Sequence, residues 1–325
     1  MAERLVGQLS LADGLVSMPR GSRLDELDAQ VNWGPLRVLL GKRGEAGPGN
    51  SSYPAEVLLR CLLLGVWHNL SDPALETAIA DRISFRRFAR LSLHDHTPDH
   101  STLWRFRQEL ARDGLVDQVF AEITRQLEAK NLVLKSGTLI DATLVAARAH
   151  PPRKPRGEVA DAPTKPCADA DARWGRKGKK SVFGYKIHLG VDADHTIIRR
   201  LDFTNGSVTD TESADGLICG DEKAVYGDQA YYTHARHARL AEAGIKDRLM
   251  RRPNKHHPEL PARQKRRNRM IGRVRAAVER PFAVFKEHYG LRRMRFYTLV
   301  RNRVQVVLAC CCYNLRRAVG VLLPA

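Results

Sequence analysis

Near Leu132 the apolar pattern of this chain changes period, and that change divides the sequence into two kinds of structure. Upstream, apolar residues recur at helical spacing. Residues 54–68 open with a proline suited to a first turn and are apolar nearly all round, as a buried helix requires. Ser71 is placed to cap a second helix over 71–80, and Asp99 or Ser101 a third that runs to about Arg112. A further helix follows over 116–130. Short helices with tight turns between them, carrying Arg86, Arg87, Arg90, Arg105 and Arg107, resemble a helix-turn-helix arrangement, and the pattern fits equally well a helical bundle that these arginines merely solvate. The spacing Leu103-Trp-Arg-Phe106 assigns Trp104 to the core.

Downstream, short alternating or apolar runs at 133–145, 183–191, 196–203, 224–226 and 246–250 read as strands. Asp192-Ala-Asp-His195 is short enough to make a hairpin of the second and third. Helices are expected over 211–219 and 233–243, the latter closed by Gly244. This order predicts an α/β fold, a mixed sheet flanked by helices, preceded by an all-helical N-terminal domain. The expected boundaries are 1–130 and 131–325. Between the first two strands, about 149–181 is rich in Pro, Asp and basic residues and reads as an insertion. Its end, with Trp174, Lys179 and Lys180, forms a basic arm carrying one aromatic, fit to stack on a base.

Charge narrows the partners. With 54 Lys and Arg against 36 Asp and Glu, the net charge is +18, which calls for a polyanion; nucleic acid is foremost because each neutralised phosphate releases counterions. The run 263–275 holds seven basic residues and no acid. A solvated helix face mixes signs, so Lys265, Arg266, Arg267, Arg269 and Arg273 read as phosphate contacts. The longest uncharged apolar stretch, 304–315, is too short for a membrane span. The N-terminal residues carry no signal pattern, so a cytoplasmic location is expected. Cys310, Cys311 and Cys312, adjacent in an apolar run, read as buried small hydrophobes.

Three carboxylates stand out against the basic background. Asp141 and Asp228 each follow a short apolar, β-branched run, where a strand would end, and Glu279 lies in Arg273-Val-Arg-Ala-Ala-Val-Glu-Arg-Pro-Phe-Ala-Val-Phe-Lys286. If that stretch is one helix, Arg275, Glu279 and Lys286 share a face, although Pro281 should kink it. Singly, each acid reads as a turn residue, a cap or an ion-pair partner. Gathered together, they would repel one another unless a cation lay among them, as a metal-assisted phosphoryl-transfer site requires.

At these residues the chain resembles the DDE transposases of the insertion-sequence-five type, which have a ribonuclease-H-like catalytic core. The likeness extends from Tyr53-Pro54 through Asn69-Leu-Ser-Asp-Pro73, Ser84-Phe-Arg-Arg-Phe88 and Pro98-Asp-His-Ser-Thr-Leu-Trp-Arg-Phe106 to the acidic motifs. Arg275, Glu279 and Lys286 fall in register with the family's last motif, while Gly272 stands where the family has Tyr. The resemblance implies that Asp141, Asp228 and Glu279 are metal ligands for two Mg²⁺ ions, with Mn²⁺ as a substitute. By it, Arg275 and Lys286 bind phosphate or offset developing charge. It also implies a bacterial, nucleoid-associated protein that acts on double-stranded DNA, at transposon ends and target, as a homo-oligomer of two or more chains. The alternative is a catalytically inactive or nuclease-only DNA-binding protein on the same fold.

Overall fold

The computed structural model describes residues 4–8, 13, 22–41, 52–152, 167–178, 180–253 and 258–323. By internal packing the chain divides into two compact units, Met1–Leu132 with Val307–Ala325, and Val133–Val306. Residues 307–325, expected with the α/β part, therefore group with the helical one.

The first unit is built on helices α1 (Arg23–Asp28), α2 (Trp33–Leu40), α3 (Ala55–Trp67), α4 (Asp72–Asp81), α5 (Ile83–Ala89), α6 (His100–Arg112) and α7 (Leu115–Ala129). Helix α3 is buried from Ala55 to Gly65, in keeping with its all-round apolar sequence. Its one central charge, Arg60, pairs with Asp28 at 2.7 Å and Glu56 at 2.9 Å and lies over the Trp33 ring. A buried guanidinium survives in a core only when its donors are satisfied in this way. Helix α4 is capped by Ser71, which accepts from Ala74 N, and α6 by Asp99, which accepts from Thr102 N at 2.6 Å.

The second unit holds a six-stranded mixed sheet of β1 (Thr138–Ala146), β2 (Arg173–Lys177), β3 (Lys180–Asp192), β4 (Ile198–Asn205), β5 (Ala224–Gly227) and β6 (Lys246–Leu249). β3 pairs antiparallel with β1, β2 and β4, whereas β5 runs parallel to both β1 and β6. β1 starts at Thr138 rather than 133, because Lys135 takes a positive φ that breaks the extended run. The turn before β4 is held by the Asp192 carboxylate, which accepts from the backbone N–H of Asp194 and His195.

One expectation is corrected here. Residues 173–177 are not a free basic arm: they form β2, with Arg173 opposite Gly184 and Trp174 opposite Phe183.

The helices of this unit are α8 (Asp210–Ser213), α9 (His234–Glu242), α10 (Ala262–Arg275) and α11 (Glu279–Glu287), with single 3-10 turns at Ala214–Leu217, Gln229–Tyr231 and Ala276–Val278. Gly244 ends α9 with φ +70°, as a residue without a Cβ can. Ile140, Val225, Tyr231, Leu217, Leu240 and Leu249 form one core cluster, which joins β1, β5 and β6 to the segments at 214–217 and 234–242.

The last helix, α12 (Leu299–Leu322), is long and apolar enough to pass for a membrane span, yet 78% of its apolar window is buried within the protein. Cys310, Cys311 and Cys312 are fully buried in it, and the Cys312 carbonyl accepts from Trp67 Nε1 at 3.1 Å.

Candidate active site

Side chains alternate along a strand, so Asp141 and Thr143 share one face of β1, opposite to Ile140 and Ala142. Both are reached by the consecutive helical segments over 262–287 that follow the sheet. Arg275 Nη1 donates to Asp141 Oδ2 at 2.9 Å, and Lys286 Nζ donates to Thr143 Oγ1 at 2.7 Å. The other Asp141 oxygen accepts from the Ala142 N–H at 2.8 Å. Arg275 is the last residue of α10 and Lys286 lies near the end of α11, so the segment between them is tied to β1 at two points.

Glu279 is the first residue of α11, between those ties, and is exposed. The single helix face expected for Arg275, Glu279 and Lys286 is corrected. The helix breaks into a 3-10 turn at Ala276–Val278, just ahead of Pro281 in α11. Proline lacks an N–H and crowds the carbonyl four residues before it, here that of Ala277, which lies in the broken turn.

Asp228 follows β5. The parallel register sets Thr138 beside Val225 and Leu139 beside Tyr226. Asp228 lies two residues beyond the last residue of β5 paired with β1, and Asp141 two residues beyond the last residue of β1 paired with β5. Asp228 also caps the 3-10 turn Gln229–Tyr231, its Oδ1 accepting from Ala230 N at 2.8 Å, as the capping reading expects.

Two residues that sequence reasoning missed belong to this neighbourhood. Burial pushes the Tyr231 hydroxyl's pKa well up, and the carboxylates of Asp210, Asp141 and Asp228 push it further, against the pull of Arg275. Asp210 opens α8 and pairs with Lys186 Nζ at 3.0 Å. Thr211 ties α8 to the Asp228 turn by donating to Ala230 O at 2.7 Å. Sequence offers no signal for either residue, because an apolar tyrosine environment and a fourth acid become visible only once the elements are assembled.

Residues 134–315 match the family described as Transposase DDE domain, and residues 15–109 match Transposase domain (DUF772). The chain belongs to the DDE transposases. No solved structure matches it. The family acts on DNA, depends on divalent metal, and has the ribonuclease-H-like fold that the resemblance implies.

The donors at the acidic site fit a hard divalent cation: they are carboxylate oxygens, and the nearby Tyr231 hydroxyl is buried without a hydrogen-bond partner among the described residues. Asp141, Asp228 and Glu279 do not converge within 4.8 Å of one another, and Arg275 holds Asp141. A tighter group of possible ligands, Cys219, Asp221 and Glu222, is already neutralised. Asp221 pairs with Lys135 and Arg199, and buried Glu222 faces Arg199 at 3.7 Å.

The residues expected to contact DNA fall into distinct environments. Arg86 and Arg107 are corrected: both are buried, Arg86 donating to the carbonyls of Ser92 and Asp95, and Arg107 gripping Asp72 through both Nη atoms. Arg87 pairs with Asp25 and is half-buried. Arg105 is exposed, as is Trp104, contrary to the core position its spacing predicts. Trp174 is exposed too and meets Phe183 edge-on at 5.6 Å. Lys180 is exposed at the start of β3, and Lys179 lies outside the described residues.

On α10, Lys265, Arg266, Arg269 and Arg273 are exposed, Lys265 facing Glu259 at 3.2 Å. Arg267 instead turns inward and donates to the carbonyls of Leu249 and Asp247. Beside it, Arg248, Arg251, Arg263 and Arg266 line a cavity of about 700 Å³. Arg248 and Arg251 lie outside the basic run, so sequence spacing does not point to them.

Proposed function

We propose that Asp141, Asp228 and Glu279 are the catalytic carboxylates of this transposase, and that they hold two Mg²⁺ ions, with Mn²⁺ as a substitute. Support comes chiefly from the double tie of the Glu279 segment to β1 on the face that carries Asp141. Parallel pairing of β1 with β5 adds Asp228 to the same neighbourhood. When bound, the cations act as Lewis acids at a phosphodiester and lower the pKa of a coordinated water.

The chain's own groups do the rest. Arg275 neutralises Asp141 while the carboxylates stand alone, and is placed to turn to a phosphate oxygen once they are engaged. Lys286, oriented by Thr143, offsets charge that builds on the transferring phosphate. The reaction is hydrolysis at the element's ends to expose 3′-OH groups, followed by in-line attack of those hydroxyls on target DNA.

We further propose that the protein is of the insertion-sequence-five type and recognises terminal inverted repeats. It works as a dimer or larger on DNA, in the bacterial cytoplasm. Arg87, Arg105, Trp174, Lys180, Lys265, Arg266, Arg269 and Arg273 are the proposed DNA contacts, all exposed or half-buried. A strand-transfer assay with a pre-nicked end separates this reading from a nuclease-only protein. Joined product supports transposition, and cutting without joining favours the nuclease.

A further inference from the structure

The chemistry proposed at Asp141 leaves the arginine-lined cavity beside α10 unused. At about 700 Å³ it has the size of a small-ligand pocket. Arg248 comes to it from β6 and Arg251 from just beyond that strand, while Arg263, Arg266 and Arg267 come from α10. Among the described residues no acid lines it. The carboxylate paired with this group is buried Asp247, which faces Arg251 at 2.9 Å and Arg267 at 3.9 Å. Five guanidiniums against one carboxylate leave positive charge concentrated in one concavity.

The cavity wall is built rather than improvised by mobile side chains. Asn268 clasps the Arg251 backbone, accepting from its N–H at 3.0 Å and donating to its carbonyl at 2.8 Å. Arg267 is held by the carbonyls of Leu249 and Asp247, and the Arg251 guanidinium lies over the Tyr232 ring at 3.5 Å. Burial lowers the pKa of Arg251, and the Arg267 charge lowers it further. Burial lowers that of Arg267 too, Asp247 opposing and Arg248 adding to the fall. Guanidiniums held this close repel one another, and an anion among them relieves the repulsion. Along α10 the lining then changes character, from basic at 263–267 to apolar at 270–274. Met270 and Val274, one turn apart, are exposed, and half-buried Tyr226 lines the same cavity. A ligand with an anionic head and a flat aromatic body matches both ends, and a nucleotide is such a ligand.

Charge selects the kind of nucleotide. A phosphodiester inside a strand carries one negative charge, whereas a phosphomonoester carries about −1.5 to −2 at pH 7 and offers three acceptor oxygens. Hydrolysis that exposes a 3′-OH produces such a monoester. The P–O3′ bond breaks, the water oxygen stays on phosphorus, one water proton goes to the 3′ oxygen and the other to solvent, leaving a 5′-phosphate on the severed strand. We propose that the cavity binds the 5′-phosphorylated terminal nucleotide of a cleaved strand, its phosphate among the arginines and its base against Tyr226, Met270 and Val274. This rests on the hydrolytic reaction proposed above, but not on which carboxylates perform it. The cavity retains the severed DNA after the cut.

The test uses full-length protein in EDTA and fluorescence anisotropy with single-stranded oligonucleotides identical except for a 5′-phosphate or a 5′-hydroxyl. Wild type should prefer the phosphorylated end about 10-fold or more, as hydrogen bonds to a charged group provide. The nucleotide dAMP should displace it, and inorganic phosphate should do so less well. Arg248→Gln with Arg263→Gln should abolish the preference, with thermal melts showing that the double variant is folded. Met270→Ala should weaken dAMP and leave inorganic phosphate unchanged. Equal affinity of wild type for the two ends, or an undiminished preference in the folded double variant, overturns the inference. So does binding of dAMP that the 5′-phosphorylated strand cannot displace, which marks a site for free nucleotides, or displacement by a glutamate-rich peptide as readily as by dAMP. Asp141→Asn should keep the end preference. If that variant also nicks DNA as wild type does, the acidic site fails and the cavity's role stands.

Discussion

Arg275 Nη1 lies 2.9 Å from Asp141 Oδ2, so the carboxylate proposed as a metal ligand meets a protein cation instead. Like charges gathered without a counter-ion raise one another's pKa, and the guanidinium relieves that. It also competes with any cation that binds. Arg275→Gln should therefore bind Mg²⁺ more tightly, by a factor of about 10, while cleaving DNA more slowly. Calorimetric titration beside a nicking assay checks both signs.

Lys286 is oriented by the Thr143 hydroxyl two residues along the same strand face. Lys286→Met should lower single-turnover cleavage by roughly 10²- to 10³-fold, the range for loss of one preorganised charge donor. Thr143→Val should do less, because it removes the guide and leaves the charge. Equal losses in the two variants would show that the hydroxyl, not the ammonium, carries the effect.

His188 supplies the pH dependence. It is fully buried on β3, its Nε2 3.0 Å from Thr204 Oγ1, and burial pulls its pKa down to about 4. Asp210 and Asp202 act against that pull, and Lys186 acts with it. In the unfolded chain the ring takes a proton near pH 6.5, so between there and about 4 the unfolded state binds more protons. Stability should be full above pH 6.5 and decline toward pH 4, by on the order of 2–4 kcal/mol from this group. His188→Gln should flatten that window in denaturant melts.

The basic helix divides by role. Charge reversal at Arg266 and Arg269, both exposed, should weaken binding to all DNA sequences and lower the slope of log affinity against log salt by about 1 for each phosphate left unneutralised. Arg267 holds the end of β6 through two carbonyls. Arg267→Ala should therefore lower the melting temperature as well. In the first unit, Arg107→Ala leaves half-buried Asp72 without its partner and should cost about 1–3 kcal/mol of stability, unlike exposed Arg105→Ala.

Much of the fold was legible because period tracks environment: the buried helix at Ala55–Trp67, the Gly244 stop and the alternating strands carry their own signals. Asp141 and Asp228 stand out as candidates for a related reason, as acids at the ends of apolar β-branched runs. What escaped depends on partners remote in sequence. Arg107 looks like a surface cation until Asp72, 35 residues away, is folded against it. Strand β2 is too charged to alternate and is made a strand by its pairing with Lys180–Gly184. Tyr231 and Asp210 acquire meaning only where three chain segments meet.

The decisive measurement is Mg²⁺-dependent nicking of DNA carrying the terminal inverted repeats by Asp141→Asn, Asp228→Asn and Glu279→Gln, with DNA binding recorded in parallel. Each variant should still bind the ends, and nicking should be lost in all three. Nicking at the wild-type rate by any one of them would contradict the assignment of that carboxylate, and by all three would remove the active site from this face of the sheet.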